Sequence, residues 1–339
     1  MSNTDTLVDF DKDMSEGAFN AINVCLKLKP EERITVITDN ESHEIASSLV
    51  HEIKKVGSPY NLLVMEDFSQ RPLKNMPQPI LDDLAKSNVS IFCAVPKTGE
   101  LRSRIDMTET VDKHNLRHAH MVSISKQIMK EGMRADFNKI DQLSQRLVEK
   151  ARKAKVIKAV SDGGTNIAAE FSTKIKWIKT SGLISVEKWG NLPGGEIFTS
   201  PMKVDGKFVV DGVVGDYLCR KYGDLKNTPL IIFLDNSRIT KLECDNKELL
   251  EEFTAYIMTD GNSNRAGEFA IGTNFTLENV IGNILQDEKL PTVHIAFGHP
   301  YTKYTGADWS STTHIDCVSI KNSIWFDDEQ VMDKGKFLI

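Results

Sequence analysis

The chain has 339 residues, 40% of them hydrophobic and 27% charged, with a formal net charge of −6. This is ordinary globular composition, with apolar material for a substantial core and a length that suits two domains better than one. The acidic balance offers no basic face for nucleic acid, and no run approaches the roughly 20 apolar residues of a membrane span.

In chain order, helical spacing from Met14 to Leu28 stops at Pro30 and gives way to a β-rich run, Ile34 to Thr38. Helical spacing returns at Ile45, Leu49 and Ile53 and ends near Gly57, before a strand from Tyr60 to Met65. Pro79 to Lys86 reads as a helix with proline in its first turn, Val89 to Val95 as a buried strand, Glu100 to His114 as a helix, and His120 to Ser123 as a strand. Strands and helices alternating in this way predict an α/β domain with a mainly parallel sheet. A long amphipathic helix, Lys139 to Ala154, closes the region. Beyond Lys155, short β-branched runs alternate with Gly, Asn and Asp turns, as in Val156–Val160, Lys174–Ile178, Lys207–Val213 and Leu230–Leu234. Helices are expected only at Asn246–Met258 and Leu277–Leu285. The expected division is therefore an α/β scaffold over residues 1–154 and a β-rich α+β domain over 155–339.

Neither G-x-G-x-x-G nor G-x-x-x-x-G-K-[ST] accompanies the parallel sheet, so a nucleotide has no sequence support there, although a crevice at the strand ends stays open as a site. The five cysteines, Cys25, Cys93, Cys219, Cys244 and Cys317, are dispersed and form no C-x-x-C pair. That pattern suits buried free thiols in a reducing compartment. Met1 to Phe10 is polar and acidic, without the basic and apolar regions of a secretory signal, and a cytoplasmic location is expected.

Candidate chemistry collects in the second half. His43, His51, His114, His118 and His120 read as solvated or capping histidines. His294 lies inside the apolar run Thr292–Phe297, where an imidazole needs partners for both nitrogens; a hydrogen-bonded core histidine is the bland reading. In His314-Ile315-Asp316, residues i and i+2 of a strand share one face, which sets an imidazole beside a carboxylate as half of a metal site or as a surface pair. Alternation turns Cys317 the other way, into the core. Glu196, in Leu192-Pro-Gly-Gly-Glu-Ile-Phe-Thr199, and Glu268, in Ala266-Gly-Glu-Phe-Ala-Ile-Gly272, are carboxylates in apolar settings, costly to bury without a cation or donor; each segment taken alone also reads as a loop with one exposed acid. Glu288, among Gln286, Asp287 and Lys289, reads as solvated surface.

Together these segments resemble the aminopeptidase T / aminopeptidase S family of metallo-aminopeptidases. The resemblance rests on the runs ending at Thr199 and starting at Gly267, on Asp287-Glu288 leading to His294-Ile-Ala-Phe-Gly298, on Tyr301, and on His314-Ile315-Asp316. It extends more loosely to Leu28-x-Pro30-x-Glu32-x-Ile34 and Gly164-Thr165-Asn166. It implies Glu196, Glu268, His294, Tyr301, His314 and Asp316 as metal ligands, with Tyr301 also a catalytic candidate; the proximity of Glu288 in sequence to the site makes it a second catalytic candidate, as a general base. It also implies two divalent ions (Zn, Co or Mn), peptide substrates with a free N-terminus, and a homodimer. The chain departs from the family's pattern at Trp309, where the family usually has Asn, and in the His299-Pro300 link to Tyr301. Two metals about 3.5–4 Å apart can share a water and polarise a scissile carbonyl.

Two other readings stay open. His294, His314 and Asp316 are also a two-histidine, one-carboxylate set suited to a single Fe(II), and the 2,5-dihydroxypyridine dioxygenases resemble relatives of this peptidase family. Glu196 and Glu268 discriminate, because a second metal needs them and a mononuclear iron does not. The third reading is a metal-free binding protein on the same scaffold.

Overall fold

The computed structural model describes residues 7–187 and 189–339, so residues 1–6 of the chain start discussed above lie outside it. The chain forms two compact units, Met1–Asn138 with Gly182–Gly194, and Lys139–Ser181 with Gly195–Ile339. This corrects the boundary expected at Ala154. Leu143, Leu147, Val148 and Ala151 of the helix Phe137–Ala151 pack into the core of the second unit. The segment 182–194 returns to the first unit, where Gly190–Asn191 pairs with the strand Arg117–Val122.

In the first unit a five-stranded parallel sheet runs in the order Tyr60–Val64, Ile34–Thr38, Val89–Ala94, Arg117–Val122, Gly190–Asn191. Ile34–Thr38 and Val89–Ala94 are buried along their whole length, as expected of strands covered on both faces. The helices His43–Val56, Gln78–Leu84 and Leu101–His114 alternate with these strands. Gly57 ends the first of them with a φ of 86°, a left-handed cap that glycine adopts without a Cβ clash. His118 and His120, expected in solvent, are buried in this sheet. They are joined to each other at 3.2 Å, and His118 Nδ1 lies 2.8 Å from Ser90 Oγ. Burial holds the His118 imidazole down at about 3 and keeps it neutral.

The carboxyl ends of the central strands, where open α/β sheets place ligands, hold a closed ion network. Arg71 bonds Asp39 Oδ2 at 2.7 Å and both oxygens of Glu100 at 2.5 and 2.8 Å, and it donates to the Val95 carbonyl. Asp39 also accepts the Val95 and Ser42 amides.

The second unit is antiparallel. One sheet has eight strands, with Lys203–Val210, Asn166–Glu170 and Val156–Val160 at its centre; the other has five, in the order His314–Val318, Val293–Gly298, Ala266–Gly272, Glu196–Thr199, Ile178–Thr180. A single apolar core takes Ile157, Phe208 and Ile324 from the first sheet and Ile197, Phe269, Ile295, Phe297 and Cys317 from the second. The helix expected at Asn246–Met258 forms as Lys247–Ile257, with Asn246 capping its first turn. The one expected at Leu277–Leu285 does not; only the short turn of helix Ile284–Asp287 appears there. No helix among the described residues is long and apolar enough to cross a membrane.

Burial opposes the charge of Glu100, but Arg71 and the Lys97 and Leu73 amides outweigh it and hold the carboxyl down at about 2. A carboxyl held below its unfolded value stabilises the fold above the ordinary range near ~4.3 and loses that contribution as pH falls through the folded value. Glu100→Gln is expected to cost about 3 kcal/mol in urea denaturation at pH 7. The gap to the wild type should close as pH falls from ~4 toward ~2; a gap independent of pH would show that the charge of Glu100 is not what the network uses.

Candidate metal centre

Register on the five-stranded sheet decides which side chains meet. Ala296 pairs with Glu268 on one side and Asp316 on the other; His294 pairs with Ala270, Gly298 with His314, and Gly272 with Glu196. Strand alternation puts all of these on one face. The opposite face carries Ile197, Phe269, Ile271, Ile295, Phe297, Ile315 and Cys317 into the core. On the polar face the positions between the acids and imidazoles are Ala270, Gly272, Ala296 and Gly298, which leave space above the sheet.

Into that space project the sequence candidates. Glu196, Glu268 and His294 are buried, and each offers a ligating atom within 4.8 Å of the others. His294 Nε2 lies 3.5 Å from Glu196 Oε2 and 3.6 Å from Glu268 Oε1; His314 Nε2 lies 3.9 Å from Glu268 Oε2 and 3.4 Å from Asp316 Oδ1. Glu268 thus presents one oxygen to each imidazole. Tyr301 stands over His314, with ring centroids 4.7 Å apart, in a left-handed backbone conformation that begins the turn of helix Thr302–Thr305.

Glu288 is not solvated surface. It is 9% exposed, and the whole segment Gln286–Lys289 is buried. Asp287 accepts the backbone N–H groups of Ile281, Gly282 and Asn283, each at 2.9 Å, and so anchors the turn with its own charge satisfied. Glu288 and Lys289 then enter the site. Lys289 Nζ lies 2.7 Å from Glu196 Oε1 and 2.6 Å from Glu288 Oε1. Sequence reasoning did not single out Lys289; its one signal was a cation between an acid pair and the apolar Leu290-Pro291. The close approach depends on Gly272, where a Cβ would stand 1.8 Å from the Leu290 carbonyl oxygen.

The electrostatics follow from three buried acids, Glu196, Glu268 and Glu288, with the partly buried Asp316 beside them. Burial raises the Glu268 carboxyl and pushes Glu288 up to about 8. It also opposes the charges of Glu196 and Asp316, but Lys289 and His294 hold Glu196 below the usual range, and His314 holds Asp316 at about 2. Burial works against the His314 cation too, yet Asp316 and Glu268 raise it to about 10. Burial among these acids lifts the Tyr301 phenol well above its usual value. Each cationic form here is favoured by surplus negative charge.

These residues fit a divalent cation. Carboxylate oxygens and imidazole nitrogens are the mixed set that suits Zn, Co or Mn. His314 Nδ1 donates to the His299 carbonyl at 2.9 Å, leaving Nε2 as a lone-pair donor aimed into the cluster. Glu268 Oε2 and His294 Nδ1 are buried without a hydrogen-bond partner among the described residues, the orphaned polar atoms that a missing ligand leaves. A cavity of about 630 Å³ meets the cluster only at His314 and is otherwise lined by Ile315, Gly215, Tyr217, Leu218 and Tyr256 among others.

The family model described as thermophilic metalloprotease (M29) matches residues 122–328. No curated protein matches the sequence. Among solved structures, wild-type AmpT from Thermus thermophilus aligns with a TM-score of 0.71 at 14% identity, covering 97% of this chain and 99% of that one. The 2,5-dihydroxypyridine dioxygenase from Pseudomonas putida KT2440 aligns at 0.69 and 12% identity, covering 96% of each chain. At these identities the likeness is one of fold.

Gly272→Ala should force the Glu288–Leu290 segment off the sheet, at a cost of about 1–3 kcal/mol by urea denaturation. An unchanged midpoint would show that this close approach does not hold the segment.

Proposed function

Since the chain belongs to the thermophilic metalloprotease (M29) family, and is therefore a metal-dependent hydrolase of peptide bonds, we propose that it is an aminopeptidase. In this reading it removes residues from peptides with a free N-terminus, and Glu196, Glu268, His294, His314, Asp316 and Tyr301 build its metal centre. The observation that carries it is the clustering of Glu196 and Glu268 with His294. A bare two-histidine, one-carboxylate iron site has no use for those two acids.

A bound Zn, Co or Mn ion supplies a Lewis acid for the scissile carbonyl and lowers the pKa of its water. The chain's own residues do the rest. Glu288 Oε1, held at 2.6 Å by Lys289, is the proton acceptor for the attacking water and returns the proton to the leaving amine. The buried acids favour a substrate α-ammonium over a blocked terminus, because a cation lowers the cost of keeping Glu196, Glu268 and Glu288 out of water. Tyr301, whose phenol stays protonated, donates toward the oxygen that gains charge. The cavity beside His314 gives the N-terminal side chain a place between Tyr217, Leu218 and Tyr256.

The five free cysteines support placing the enzyme in a reducing cytoplasm. Homodimerisation follows from the family resemblance, and the exposed Met258 supports a partner surface; the mass in light scattering tests it.

The deciding assay compares aminoacyl-p-nitroanilides with their N-acetyl forms after loading with Zn, Co or Mn. Free-amine substrates should turn over at least about 100-fold faster, a difference of about 2.7 kcal/mol, and Glu268→Gln should abolish the activity. No hydrolysis, together with oxygen uptake on dihydroxylated pyridines after Fe(II) loading, would replace this reading with the ring-cleaving dioxygenase.

A further inference from the structure

A lysine belongs on a protein surface unless something holds it inside. Lys289 is 1% exposed, and the turn Ile284–Asp287, the anchoring by Asp287 and the bare backbone of Gly272 all serve to place it. Its ammonium lies within 2.7 Å of two carboxylates, Glu196 and Glu288. Glu196 therefore divides its oxygens: Oε1 goes to Lys289, and Oε2 faces His294 Nε2 at 3.5 Å. A pair of buried carboxylates bridged at that distance by one cation has the arrangement that a second metal ion would otherwise create.

We propose that Lys289 is a built-in second cation, so that this chain holds one divalent ion where the resemblance implied two, with Lys289 Nζ as its permanent positive neighbour. The proposal rests on the cluster being the metal centre of a peptidase. Glu268, His294, His314 and Asp316, together with Glu196 Oε2, would hold that ion. A second dication sharing Glu196 and Glu288 would meet the ammonium at close range in a water-poor site, where like charges repel strongly.

Charge balance gives the arrangement a purpose. With the ion bound and all four ionised, Glu196, Glu268, Glu288 and Asp316 would carry four negative charges around Lys289. One dication and Lys289 supply three positive charges, leaving one negative charge. A substrate α-ammonium brings the single positive charge that closes the account. Two dications would already balance the four acids, and with Lys289 present they would leave a net positive site that repels the amine. The lysine thus links the ion count to selection for a free N-terminus.

The test counts ions on the full-length chain, stripped with chelator and reloaded with Zn2+ or Mn2+, by elemental analysis after gel filtration and by titration calorimetry. The wild type should bind one ion per chain, and Lys289→Met, which keeps the length and removes the charge, should bind two. Lys289→Arg should stay at one, and Glu268→Ala should lose the tight site. Two tight ions in the wild type would overturn the proposal while leaving the metallopeptidase standing. One ion in both wild type and Lys289→Met would overturn it as well. No ion in the wild type would remove the metal centre itself and the proposal with it. If Lys289→Met does not fold, as judged by circular dichroism, Lys289→Gln takes its place, and the wild-type count already decides against the proposal if it is two.

Discussion

Three carboxylates drawn out of water, Glu196 and Glu268 on the sheet and Glu288 beside it, with Asp316 partly buried next to them, are the constraint around which the second unit is built. Each costs several kcal/mol to bury charged and unpartnered. The protein meets that cost with cations and donors. Lys289 partners Glu196 and Glu288, His314 partners Asp316, and Glu268 keeps one oxygen without a protein donor. The last is the clearest place for a ligand from outside the chain.

Everything around the cluster keeps that face open and its backing rigid. Alternation sends most of the large apolar side chains to one side and gives the other mainly to acids, imidazoles, alanine and glycine, with Phe198 beside Tyr301 and Val318 opposite His294. The small residues matter as much as the charged ones, since a valine at Ala270 or Ala296 would fill the volume the ligands need. Gly272 has the further role of admitting a second layer of backbone, and that layer brings Glu288 and Lys289. In the first unit a different solution appears. The strand ends that could form a crevice are closed by Arg71, Asp39 and Glu100, whose bonds are mutually satisfied. The ionic network there is scaffold, whereas the one in the second unit has surplus charge and orphaned atoms.

Two of the solved structures that share this fold are a 2,5-dihydroxypyridine dioxygenase and AmpT. One scaffold can support both, because function resides in the donors placed on it. His294, His314 and Asp316 would serve either. Glu196, Glu268 and the buried Glu288–Lys289 pair tilt this chain toward hydrolysis, in keeping with its family.

Period-two patterning in His314-Ile315-Asp316 and in Val293–Phe297 determined by itself that imidazole and carboxylate would share a face, because a strand's side chains alternate whatever surrounds it. The apolar flanks of Glu196 and Glu268 left open a loop with one exposed acid as well as burial, whereas the strand–helix rhythm of the first half announced the parallel sheet. Burial of charged stretches was not legible in this way. Gln286-Asp287-Glu288-Lys289 looks like surface, since neighbouring charges are usually solvated; only the folded chain brings Glu196 to Lys289 and three amides to Asp287. His118 and His120 were misread for the same reason, their burial being set by strands and side chains distant in sequence. The helix expected at Leu277–Leu285 failed because those amides are taken by the Asp287 carboxylate rather than by helical carbonyls. Local pattern decides which way a side chain points; whether it meets water or another charge is decided by partners that the sequence places far away.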